Sequence, residues 1–245
     1  YFMFDLINSQ REVDIWLPDG TEEFQYQIDA VKEALGKIEK YKGVFLSDVV
    51  GLGKTYVAAI VAQQLDGKKL FAVPPGLISH WKDTLDDFDM LDSCKIVSSS
   101  KLHKVEPLPD SYKHVFVDES HKFRSDSTKK YSQLYDIIHA GHERKNAILI
   151  SATPLNNSLD DLYNQLRLFQ TPTDNDIPGI ADLKIYFDEQ KRKKRTWLES
   201  EDKEKAQHKI KEIHHKIRDK VLRHVMIRRT KRDIEDNYEE IVGMF

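Results

Sequence analysis

The chain has 245 residues, of which 40% are hydrophobic and 32% charged, and its formal net charge is −3. That suits one large domain, or one domain with an insertion. The single cysteine, Cys94, excludes an internal disulfide and fits a reducing, cytoplasmic setting. No apolar run approaches the roughly 20 residues needed to cross a bilayer. The opening "YFMFDLINSQREVDIW" lacks the basic leader and small-residue cleavage site of a secretory signal. Because position 1 is Tyr1, the chain is expected to be a piece of a longer protein.

Residues 1–20 read as a lead-in. Thr21 is the predicted cap of a helix over Glu22–Glu39. From Gly43 onward, short apolar runs alternate with helical patterns. "GVFLSD" (43–48), "KLFAV" (69–73), "CKIVS" (94–98), "KHVFVD" (113–118) and "NAILIS" (146–151) read as buried strands. Lys54–Leu65, Leu77–Phe88 and Thr128–Ala140 carry apolar residues at helical spacing. Ser158 or Asp160 is the expected cap of a further helix to Phe169. Strands alternating with helices predict an α/β fold: a parallel sheet with helices on both faces.

"QTPTDNDIPG" (170–179) reads as a boundary loop. From Ile180 to about Met226 the pattern is helical and charged, with no strand expected. Lys184–Arg232 holds 18 Lys/Arg against 8 Asp/Glu, leaving 20 against 33 elsewhere. A basic segment on an acidic body can mark a nucleic-acid contact. A solvated helix face is the plainer alternative. "KRKKR" (Lys191, Arg192, Lys193, Lys194, Arg195) is its densest patch.

Chemistry gathers at three strand tips. "SDVVGLGKT" (47–55) follows a buried strand and enters a helix. Backbone N–H groups there point at an anion and the helix dipole adds to their pull. Gly51 and Gly53 permit close approach, Lys54 can neutralise β/γ-phosphates, and the Thr55 hydroxyl can hold Mg²⁺. A glycine turn with an exposed lysine is the alternative. "VFVDESH" (115–121) sets two acids at the end of another strand. Asp118 can hold Mg²⁺ through its water shell, and Glu119 can orient and deprotonate an attacking water. "ILISATPLNN" (148–157) puts Ser151, Ala152 and Thr153 at a third tip, where the hydroxyls can bridge the acidic site to a neighbouring surface. His80, His142 and His208 read as surface or packing residues, and no cluster has zinc-ligand spacing.

Together these motifs resemble the first, RecA-like motor domain of superfamily-two helicases, most closely the SWI/SNF-type branch of double-stranded-DNA translocases. That branch carries an aspartate where other phosphate loops have their first glycine, as Asp48 does here; Val49 departs from its usual glutamate. The resemblance implies ATP and Mg²⁺ as ligands, with Asp48, Gly51, Leu52, Gly53, Lys54 and Thr55 in the phosphate loop. It implies that Gln27, in "FQYQIDAVKEAL" (24–35), reads adenine. It implies that Lys54, Asp118 and Glu119 serve hydrolysis, with His121, Ser151 and Thr153 coupling the motifs. "LFAVPPGLISHWKDTLDDF" (70–88) and "VSSSKL" (97–102) resemble backbone-contacting elements, which puts Pro75, Ser79, Trp81 and Ser99 among the nucleic-acid contacts.

"IRRTKRDI" (227–234) resembles the element closing the first motor domain. The implied division is a motor domain over 21–172, a basic helical insertion over 173–226, and a linker over 227–245 towards a second RecA-like domain. That second domain would supply the arginine finger, so the isolated fragment is expected to bind nucleotide weakly and hydrolyse it poorly. "SATP" and "DESHKFRS" look like a bacterial subgroup. An RNA helicase or remodeller, or a nucleotide-binding interaction module without required hydrolysis, are the competing implications.

Overall fold

The structure, a computed structural model, describes residues 15–47, 53–105, 108–152, 158–230, 233 and 236–238. Its centre is a six-stranded, all-parallel sheet: β1 (Gly43–Leu46), β2 (Lys68–Val73), β3 (Cys94–Ser98), β4 (Tyr112–Asp118), β5 (Asn146–Ile150) and β6 (Met226–Ile227). The spatial order is β3-β2-β4-β5-β1-β6. Five of these strands fall where the apolar runs predict them. The parallel sheet is what the alternating pattern leads one to expect, and its RecA-like arrangement is what the resemblance to a motor domain implies.

Alternate residues along each strand leave opposite faces. Phe45, Leu70, Val115, Val117 and Leu149 enter one core, while Val44, Phe71, Val73, Phe116 and Ile148 enter the other. Helices α1 (Gln25–Tyr41), α2 (Lys54–Gln64) and α3 (Ile78–Asp87) supply the second core. Helices α4 (Lys129–His139) and α5 (Leu159–Leu166) cover the first. Two longer helices, α6 (Leu183–Leu198) and α7 (Lys203–Ile217), extend that same core through Phe187, Ile213 and Ile217. Gly43 starts β1 because nothing larger fits: a Cβ there would lie 2.4 Å from the Phe169 ring and 2.6 Å from the Ala147 carbonyl oxygen.

Three expectations need correction. Thr21 does not cap α1; its N–H donates to the Pro18 carbonyl at 3.1 Å in a turn, and the helix starts at Gln25 behind Phe24, with no side-chain cap. The segment 180–226 does not stay helical to Met226. After α7 it passes through a π-helical turn, Arg218–Leu222, and one further turn, Arg223–Val225, then forms β6. The helix after the "SATP" tip ends at Leu166, short of Phe169. Ser158 does cap it, in a reciprocal box: its side chain accepts from the Asp161 N–H, and the Asp161 carboxylate accepts from the Ser158 N–H. Two caps went unread in the sequence: Asp182 opens α6 and Asp202 opens α7.

Candidate functional site

In a parallel sheet every strand ends at the same edge. Here that edge collects Ser47 after β1, Asp118 at the end of β4, Ser151 after β5, and Arg228 after β6. Open α/β sheets present their ligands at this edge. Asp118 is in register with Ile150, and Ile150 with Leu46, so two strand spacings, about 10 Å, separate the acidic tip from the loop entry.

Asp48, Gly51 and Leu52 lie outside the described residues, as does Thr153. The two flanks of the loop are described. On the far side, Gly53 takes a left-handed conformation, φ 70° and ψ 34°, and leads directly into α2 at Lys54 and Thr55. A Cβ on Gly53 would sit 2.6 Å from Gln27 Nε2, the movable end of that side chain, so it is the left-handed backbone that calls for glycine here. Gln27, expected to read a base, thus lies against the N-terminus of the loop helix. It also donates to the Tyr26 hydroxyl at 3.2 Å. On the near side, Ser47 donates its N–H to the Ile227 carbonyl at 2.9 Å. Its hydroxyl is buried and has no hydrogen-bond partner among the described residues. A buried orphan hydroxyl costs about 1–3 kcal/mol, and this one stands where the loop opens.

The acidic tip is held tightly. Asp118 Oδ1 accepts from the Glu119 N–H at 2.8 Å, and Oδ2 accepts from Trp81 Nε1 at 2.9 Å. Glu119 is left-handed, φ 51° and ψ 46°, one of three described non-glycine residues with positive φ. Such a conformation costs about 1–3 kcal/mol and persists where surrounding bonds enforce it. Its effect is to turn the chain out of β4 into the short turn Ser120–Phe123 and to lift the Glu119 side chain into the open. Glu119 Oε2 lies 3.1 Å from His121 Nδ1, which is 3.2 Å from the Ser151 hydroxyl. A protonated Nδ1 can donate to either oxygen; a bare one can accept from Ser151. Glu119, His121 and Ser151 therefore form one chain across the tips of β4 and β5.

The expected nucleic-acid contacts divide. Pro75, on the turn between β2 and α3, and Ser79, in the first turn of α3, are exposed. Trp81 is not: it is 1% exposed, packs on Phe71 at 5.0 Å between ring centroids, and spends its N–H on Asp118. Its place in the contact set is corrected, and the signal was in the sequence, because Trp81, Leu85 and Phe88 recur at core-facing helical spacing. Ser99 is likewise buried, its N–H donating to the Val73 carbonyl at 2.7 Å. In the basic patch, Lys191 is bound by Asp160 at 2.6 Å and Asp188 at 2.7 Å, and Lys193 by Glu189 at 2.5 Å. Lys194 donates to His214 at 3.3 Å. Arg192 and Arg195 are exposed and form no ion pair among the described residues.

One cluster went unread. After β6, Arg229 donates to the Tyr26 carbonyl and lies over the Tyr26 ring at 5.8 Å. Tyr238 meets Tyr26 edge-on at 6.2 Å and donates to Asp29 at 2.7 Å. The closing element is thereby tied to the start of α1, beside Gln27. Among the described residues no group of three or more His, Cys, Asp or Glu could hold a metal, and no helix is long and apolar enough to cross a membrane.

Comparison with known proteins gives this edge a family. An uncharacterized ATP-dependent helicase, YqhH of Bacillus subtilis (strain 168), is 26% identical over 92% of this chain and 39% of its own length. The ISWI chromatin-remodeling complex ATPase ISW2 of Saccharomyces cerevisiae is 25% identical over 86% of this chain and 20% of its own. The chain thus spans about two fifths or less of the curated relatives it matches. The solved UvsW helicase of bacteriophage T4 aligns with a TM-score of 0.47 at 17% identity, over 66% of this chain and 64% of that one. The SNF2-related domain matches residues 88–241, a stretch that contains the Asp118–His121 tip, Ser151 and the closing element. With more than half of its length inside that match, the chain belongs to the SNF2-related domain family, among helicase-like ATPases.

Proposed function

We propose that this chain is the first motor domain of an ATP-driven translocase on double-stranded DNA, one half of a site completed by a second RecA-like domain. The observation that carries the reading is the convergence at one sheet edge. The loop that runs from β1 to the N-terminus of α2 at Gly53, Lys54 and Thr55 leaves the sheet at the same edge as an acidic tip whose Glu119 is lifted free of the strand. The residues fit Mg-ATP: the left-handed Gly53 opens the loop helix without a side chain, and the buried Ser47 hydroxyl at the loop entry has no partner among the described residues. Thr55 and Asp118 would hold Mg²⁺, which takes its remaining ligands from phosphates and water and offsets phosphate charge.

Within that frame Lys54 and the first N–H groups of α2 bind the phosphates. Glu119 orients a water and takes its proton; His121 steadies the carboxylate through Nδ1. Ser151 carries the position of β5 to His121. The exposed Pro75 and Ser79 face the nucleic-acid backbone, and contacts of that kind give affinity without sequence reading. The fragment by itself turns over slowly, because the arginine finger supplied from outside is worth about 10³–10⁵ in rate where measured.

The test is ATP hydrolysis by the full-length protein with no nucleic acid, duplex DNA, or structured RNA. The reading expects stimulation by the duplex. Stimulation by RNA alone would make this an RNA-directed motor, and no hydrolysis under any condition would leave a nucleotide-binding module.

A further inference from the structure

The fold places a tryptophan indole on the carboxylate that the reading above assigns to Mg²⁺. Trp81 comes from α3, the helix that follows the exposed Pro75 turn, whereas Asp118 ends β4. The indole is wedged in the second core, with its ring against Phe71, which itself stacks on Phe116 at 4.5 Å. A tryptophan buried this deeply has little rotational freedom, and an indole N–H can only donate. It meets Asp118 Oδ2 at 2.9 Å while the Glu119 N–H meets Oδ1 at 2.8 Å. Each carboxylate oxygen therefore has a donor from a different element, and the plane of the carboxylate is fixed. A carboxylate oxygen has lone pairs to spare beyond one donor, so Asp118 can still receive a water or an ion.

We propose that Trp81 is a positioning residue for Asp118: its indole N–H holds the carboxylate in the orientation that a hydrated Mg²⁺ requires. This rests on the assignment of Asp118 to Mg²⁺. Hydrogen bonds to a charged acceptor are roughly twice as strong as neutral ones, so losing this one frees the carboxylate to rotate.

The test uses the full-length protein with Trp81→Phe, and with β-(3-benzothienyl)alanine introduced at position 81. The second keeps the bicyclic shape and replaces the N–H by sulfur. Binding of a fluorescent ATP analogue is titrated with Mg²⁺, and measured again in EDTA. Both variants are expected to need about tenfold more Mg²⁺ for half-maximal binding, with unchanged affinity in EDTA. A wild-type Mg²⁺ requirement in the benzothienyl protein would overturn the proposal, because the residue would then act by shape alone. Equal losses with and without Mg²⁺ would overturn it too, by showing general damage. A wild-type protein whose binding ignores Mg²⁺ would instead remove the assignment of Asp118 itself.

Discussion

The sheet body and the α6–α7 helical pair treat buried polar groups differently. In the body, His114 is 5% exposed at the start of β4, yet both ring nitrogens are used. Nε2 donates to the Asp66 carbonyl at 2.9 Å, and Asn146 donates to Nδ1 at 3.3 Å. Gln190 of α6 is 1% exposed, and among the described residues neither its amide nitrogen nor its oxygen finds a partner; the Tyr186 hydroxyl one turn earlier is also orphaned there. The pair further exposes Ile185 at 68% and Leu198 at 58%. The body's own orphans include Ser47 and Ser120, both beside the candidate site. Unmet hydrogen bonding among the described residues thus gathers at the site edge and in the helices over the first core, where His139 Nε2 of α4 and Gln165 Oε1 of α5 are also without partners, while the strands themselves hold none.

The largest effect expected from this contrast is on acid stability. Burial, chiefly, pushes the His114 imidazole down from 6.5 to about 4, with Lys69 and Lys113 adding to it. The folded state therefore holds the proton less tightly than the unfolded chain. Its contribution is complete above 6.5 and is lost as pH falls towards about 4. The full span corresponds to about 3 kcal/mol. Urea unfolding of wild type and His114→Gln across that range should show the wild type losing stability more steeply; parallel curves would remove His114 from the acid response.

A smaller effect of opposite sign is expected in the helical pair. Gln190→Leu removes two orphaned polar atoms from a buried place and should raise stability by about 1–2 kcal/mol. A destabilised variant in thermal unfolding would mean that the amide has a partner in solution. The smallest effect concerns the basic patch, in which Lys191 and Lys193 are already neutralised by acids of the same surface. Reversing Arg192 and Arg195 to glutamate should flatten the log–log salt dependence of duplex binding by about 2 units. An unchanged slope would return the patch to a solvated helix face.

The strand tips were legible because a buried strand has a plain signature and an acid or glycine at its end stands out. Trp81 was legible twice, with conflicting messages: the motif pointed it at nucleic acid, its spacing with Leu85 and Phe88 at the core, and packing followed the spacing. β6 was not legible. Met226 and Ile227 carry no turn signal before them and pair only because β1 leaves an edge free. Lys184–Asp188 and Glu189–Lys193 could be read as neighbours one helical turn apart. Lys191 on Asp160 could not, since only the tertiary fold brings α6 to α5. Charge excess in a sequence therefore overstates what is free to meet a phosphate.

The central claim is that the edge carrying Lys54 and Glu119 binds and hydrolyses ATP. One measurement bears on it most directly: Mg-ATP binding beside steady-state turnover, in the full-length protein, for wild type, Lys54→Ala and Glu119→Gln. The account predicts that Lys54→Ala loses binding with an unchanged melting temperature. It predicts that Glu119→Gln keeps binding and loses turnover by about 10²-fold or more, since an amide cannot take the proton. Normal Mg-ATP affinity in Lys54→Ala, or near-normal turnover in Glu119→Gln, would contradict it.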